Sequence, residues 1–87
     1  MEKPKIIKSI WDNGGETLDR ITVVLNTSYH KDYRNPNTLY HEMLGLSVNG
    51  LGYSEFTEGV EGKHLGSRVS WESLPETLQN HIINRLE

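Results

Sequence analysis

Apolar positions recur with a period of two along much of this chain and switch to helical spacing only near its end. Ile21, Val23 and Leu25 alternate onto one face of a segment whose Thr22, Val23 and Val24 are β-branched, the strongest strand pattern present. Ile6, Ile7, Ile10 and Trp11 supply a partner strand ahead of Asn13-Gly14-Gly15. That run suits a tight reversal, because positive φ costs glycine nothing and asparagine little. The first 26 residues therefore read as one hairpin. A third strand is predicted from Tyr40 to Val48, with Leu44, Leu46 and Val48 on one face and His41, Met43, Gly45 and Ser47 on the other, closed by Asn49-Gly50. Gly45 marks a bulge or a close approach by another group. A fourth strand is predicted from Leu65 to Trp71.

The spacing then changes. Leu78, Ile82, Ile83 and Leu86 share one face of a helix. Ser73-Leu74-Pro75-Glu76 has the form of a capping box at its start, with proline in the first turn. A single small sheet cannot cover its own apolar face, so the helix is expected to lie across it. The pattern predicts one α+β domain over residues 1–87: a four-stranded, mainly antiparallel sheet with one C-terminal helix packed on it.

Two stretches have no period of either kind. Residues 26–38 are polar and residues 50–64 are glycine-rich and acidic. Connections this long inside a small domain are often functional or disordered. Tyr29, His30, Tyr33 and Arg34 in the first, with Tyr53 and Phe56 in the second, are the candidate binding residues, since tyrosine and arginine carry much of the energy at protein interfaces.

Composition narrows the picture. With 34% hydrophobic residues among 87, the core must be small, and Trp11, Ile21, Val23, Leu25, Leu44, Leu46, Val69, Trp71, Leu78 and Ile82 are its expected members. There is no cysteine, which removes disulfides and thiolate metal sites. A net charge of −3 gives no support for phosphate-backbone binding. No apolar run resembles a signal peptide or a membrane span, so a cytoplasmic location is expected.

The chemistry-bearing residues form no recognisable machinery. His41-Glu42-Met43-Leu44-Gly45 lacks the second histidine of a zinc-protease helix. His30, Asp32, His41 and His64 could meet only if both long connections folded over one sheet edge, and zinc needs three or four such ligands. Neither Gly50-Leu51-Gly52 nor Gly62-Lys63-His64 completes a nucleotide-binding loop. No catalytic residue, metal or cofactor is assigned, and the chain reads as a non-enzyme. Asp12, Asn13, Gly14, Gly15, Thr17, Asp19 and Arg20 read as turn architecture, with Asp12 and Thr17 bonding turn backbone and Asp19 or Arg20 tying a loop to the hairpin.

The run from Asp12 to Val23 resembles the opening of a group of small, uncharacterised bacteriophage and prophage proteins with a D-N-G-G-x-T-x-D-R-Y-T-V segment. Leu44-Gly45-Leu46-Ser47, Gly62-Lys63-His64-Leu65-Gly66 and the Leu74-Pro75-Glu76 helix start match the same pattern. Ile21 stands in place of the usual tyrosine, and residues 29–38 depart from it. The resemblance carries no established activity. It implies a small phage-type accessory protein in the host cytoplasm that binds a host protein, with inhibition of a bacterial defence or regulatory system as one such role. Two other classes compete: nucleic-acid binding through Lys3, Lys5, Lys8, Lys31 and Arg34 with interleaved tyrosines, and a small metal-dependent enzyme using the histidines. A homodimer through an exposed strand edge is left open.

Overall fold

The computed structural model describes residues 1–17, 19–31, 34–47 and 54–87. At the first reversal Gly14 and Gly15 take φ of 77° and 89°, the left-handed region their lack of a side chain allows. Asp12 Oδ1 accepts from the Gly14 N–H at 2.8 Å, and Asn13 Oδ1 accepts from the Gly15 and Glu16 N–H groups. Thr17 Oγ1 donates to the Asp19 carbonyl. The reversal joins β1 (Ile7–Asp12) to β2 (Ile21–Tyr29) as the expected antiparallel hairpin. β3 (Tyr40–Leu46) pairs with β2 and β4 (Ser54–Gly59) with β3, while β5 (Ser67–Val69) returns to the far side of β1. The order is β4-β3-β2-β1-β5, every neighbour antiparallel, and the helix α1 (Glu76–Leu86) follows. The architecture is therefore α+β with one C-terminal helix, but the sheet has five strands and not four.

The extra strand, β4, lies inside the stretch expected to be a glycine-rich connection. Its only large apolar residue is Phe56, so it has no alternation for a period-two search to find. The fourth predicted strand, Leu65 to Trp71, shrinks to the three residues of β5, because 3₁₀ turns at Lys63–Leu65 and Trp71–Ser73 consume both ends. β2 runs on to Tyr29, into the polar stretch. The predicted strand end at Val48 and the Asn49-Gly50 turn lie outside the described residues.

One face of the sheet carries the main core: Ile7, Ile10, Ile21, Val23, Leu25, Leu44 and Leu46 meet Trp71, Leu74 and Ile82, with Val69, Leu78, Ile83 and Leu86 packed around them. Ile7 and Ile10 are three apart yet share that face, because the register slips between Ile7 and Ser9 and a bulge turns the strand by one residue. Trp11, expected in this core, is half-buried on the opposite face, where its indole N–H donates to Ser9 Oγ at 2.9 Å.

The opposite face is covered as well, which the sequence reading did not anticipate. Val24, Met43, His41 and Ser9 are all buried there. The connection from β4 to β5 runs beneath the sheet from one edge to the other. Gly59 abuts the Met43 side chain, Glu61 holds Lys8 and Ser9 through its two carboxylate oxygens, and Gly66 presses against the Asp12-Asn13 backbone. The β2–β3 ladder is irregular between Val24 and Ser28, and His41 Nδ1 donates to the Leu25 carbonyl at 3.1 Å there. His41 thus satisfies a buried backbone group that strand pairing leaves over. Gly45 gives room to the Asp19 carboxylate: a Cβ there would sit 3.1 Å from Asp19 Oδ2.

The capping box does not form. Leu74, preceding proline, is extended (φ −78°, ψ 139°), as the clash with the proline ring requires, so a helix cannot run from Ser73. Ser70 and Ser73 instead cap the 3₁₀ turn, and Pro75 is the residue before the helix. Leu78 and Gln79 donate their N–H groups to the Pro75 carbonyl. Gln79 is buried and its side chain donates to the Trp71 carbonyl at 2.9 Å, tying α1 to the turn before it.

Candidate functional site

The helix covers only part of its own side of the sheet. Beyond it, on the same face, the strands present Tyr29 from β2, Tyr40 and Glu42 from β3, and Phe56 and Glu58 from β4. Register sets this group: Tyr29 pairs with Tyr40, Leu44 with Phe56, and Glu42 with Glu58. The two tyrosine rings stack with centroids 6.2 Å apart and planes 21° from parallel. Phe56 is 48% exposed, a large aromatic left to solvent. Arg85, at the end of α1, lies over its ring at 4.9 Å and marks where the helix stops. Tyr29, Glu42, Phe56, Thr57 and Glu58 line a cleft of about 470 Å³.

Glu58 is the electrostatic centre of the group. The Tyr29 hydroxyl donates to one of its oxygens and Lys31 Nζ to the other. The bonds from Lys31 and then Tyr29 hold its carboxyl below the ordinary range, and the same Lys31 bond raises the ammonium. Hydrogen bonding to Glu58, burial and the nearby charges of Glu58 and Glu42 push the Tyr29 phenol up to about 12. Glu42 faces Glu58 directly across the ladder, and like charges in that relation are destabilising. Glu42→Gln should therefore raise stability by about 0.2–1 kcal/mol. Denaturant melts of parent and variant check this; a less stable variant would show that the Glu42 charge has a compensating role.

Of the residues expected to bind, Tyr29 and Phe56 lie on this surface. His30 is exposed nearby with Nδ1 donating to the Thr38 carbonyl at 3.0 Å, which pins the connection after β2. Arg34 is exposed beyond it, and Tyr33 and Tyr53 lie outside the described residues. Sequence reading missed Tyr40, Glu42, Glu58 and Arg85, and placed Lys31 only in a basic stripe. Finding them required β4 and its register with β3, and the one local signal was Phe56-Thr57, an aromatic and β-branched pair between glutamates.

Among the described residues the competing constellations are dispersed, and Asp32 lies outside them. Lys8 and Lys31 are engaged by Glu61 and Glu58 at separate places, which breaks up the basic stripe. Among the described residues no three histidine or acidic side chains come together to hold a metal ion. The Asp12–Arg20 segment is occupied with its own turn: Arg20 makes a two-pronged bond to Asp12 (2.9 and 3.3 Å), and Asn13 Nδ2 donates to Thr17 Oγ1 and the Asp19 carbonyl. Among the described residues Asp19 Oδ1 is buried without a hydrogen-bond partner.

Three carboxylates tie the fold to pH. The hydrogen bond from Arg20 lowers Asp12, and Lys31 lowers Glu58. For Glu61, burial is the strongest influence and opposes ionisation, but Lys8, Ser9 and the electrostatic influence of His41 together bring it below the usual value. Because each is depressed in the folded state, its contribution is present above the ordinary values of 3.8 and 4.5 and is lost as pH falls through the lower folded values. Tm should be level from pH 7 down to about 5 and drop below that, and Glu61→Gln should flatten the drop. An acid limb unchanged in that variant would remove Glu61 from the account.

No protein-family model, no curated protein and no solved structure matches this chain. No helix among the described residues is long and apolar enough to cross a membrane.

Proposed function

We propose that this chain is a non-enzymatic binding protein of phage type that acts by engaging a host protein, with inhibition of a bacterial defence or regulatory system as its outcome. The observation that carries the reading is the uncovered end of the helix-side face, where Tyr29, Tyr40 and Phe56 are held on three adjacent strands beside a cleft. Aromatic side chains on a rigid sheet lose little conformational entropy on binding and are enriched where binding energy concentrates. The resemblance in the Asp12–Val23 segment supplies the phage setting and the host as the source of the partner.

The test is affinity capture from a bacterial lysate with three forms of the chain: the parent, Tyr29→Ala/Phe56→Ala, and Arg68→Ala at the far edge. The expected result is a protein held by the parent and by Arg68→Ala and lost by the double variant, with all three melting at similar temperatures. Retention by the double variant would reject this surface. Capture of nothing by the parent from lysates of susceptible hosts would reject the binding role.

A further inference from the structure

We infer that the partner presents an extended, arginine- or lysine-bearing segment that adds to the outer edge of β4 as a further strand. This rests on the protein-binding reading and names the chemistry of what is bound. β4 ends the sheet, and among the described residues no strand pairs with its outer side. Glu55, Phe56, Thr57 and Glu58 are all exposed along it. An open edge offers its unpaired backbone N–H and C=O groups as a template for another strand. The cleft reaches this edge, since it is lined by Phe56, Thr57 and Glu58 of β4 together with Tyr29 and Glu42 behind them.

Charge selects the occupant. Edges that must stay unpaired commonly carry lysine. β4 and β3 hold no lysine or arginine, whereas Glu42 and Glu58 put two carboxylates on the helix-side face beside the edge. Glu58 is engaged by Lys31, and Glu42 stands against it across the ladder, so a further cation there relieves an existing repulsion. Phe56 already accepts the guanidinium of Arg85 over its ring, which shows that the surface suits such a group. A second copy of the chain is the poorer occupant: edge-to-edge pairing of two β4 strands would bring Glu55 and Glu58 of both copies to one seam with no lysine or arginine from either strand.

The probe is a capped synthetic octapeptide alternating arginine and threonine, with its glutamate–threonine counterpart as control, titrated into isotopically labelled chain at low salt. Amide resonances of residues 54–59 and of β3 should shift with the basic peptide and not with the acidic one. The Glu42→Gln variant, which leaves the Tyr29–Glu58–Lys31 contacts intact, should bind about two- to five-fold more weakly, and 0.5 M salt should weaken the parent similarly. Equal binding of the acidic peptide, shifts away from β4, or undiminished affinity in the Glu42→Gln variant would overturn the inference. So would concentration-dependent dimers in sedimentation whose contact maps to β4. If the peptide fails while Tyr29→Ala/Phe56→Ala still releases a captured protein, the binding surface stands and only the added strand falls.

Discussion

Replacing Gly66 by alanine should destabilise this protein by about 3–5 kcal/mol, more than the same change at any other glycine among the described residues. Gly66 has φ of 112°, a conformation that L side chains rarely adopt. A Cβ at that position would lie 2.2 Å from the Asp12 carbonyl oxygen and 2.6 Å from Asn13 Cα. Both obstacles are backbone of the first hairpin, which its own turn bonds hold in place, so neither can swing aside as a flexible side chain would. Relief requires the connection to lift from the sheet, and that loosens β5 and the anchorage of Glu61. Each kcal/mol moves Tm by about 4–8 °C in a domain of this size. A melt of Gly66→Ala within a few degrees of the parent would show that this close contact is not maintained. Gly14→Ala is the matched control: it has the same backbone handicap (φ 77°) but nothing within 4 Å of the added methyl, so it should lose less.

Trp71→Ala should cost about 3–5 kcal/mol, the range for truncating a buried tryptophan. Trp71 is 2% exposed and is where the helix, the sheet and the amino-terminal residues converge. Its ring packs in the main core, its indole N–H donates to the Met1 carbonyl at 2.9 Å, and its own carbonyl accepts from Gln79. The variant loses packing and leaves the Met1 carbonyl without that donor. Against a total of about 5–15 kcal/mol for a typical domain, this is a large share of the stability. Chemical denaturation with Trp11 fluorescence as the probe measures it. A loss under 1 kcal/mol would mean that α1 is not held through this ring.

The parts of the fold legible from residues alone were those written in local chemistry. Asn13-Gly14-Gly15 announced a reversal, Ile21 to Leu25 a half-buried strand, and Leu78, Ile82, Ile83 and Leu86 one buried helical side. β4 was illegible because a strand exposed on both faces and carrying a single aromatic looks like a loop until its neighbour is known. Burial of Val24, Met43 and His41 was hidden for a related reason. Their cover is a stretch of chain with almost no hydrophobic residues, held by a glutamate and close glycine contacts. The capping box failed on a local effect that was readable: Pro75 forces Leu74 out of helical geometry. Of the candidate surface, Tyr29 and Phe56 were found by residue type. Glu42 and Glu58 belong to it through strand register alone.

The placement of β5 has a consequence for how the chain is made. β1 leaves the ribosome well before β5 and α1, yet its second neighbour consists of Ser67–Val69 and its helical cover of Glu76–Leu86. Until those residues emerge, the nascent chain holds at most a four-stranded meander with Ile7, Ile10 and Val23 bare on one side and Val24 and Met43 bare on the other. Synthesis must pass α1 before this unit can close, and a message truncated after β4 would yield a sticky sheet and not a smaller version of the domain.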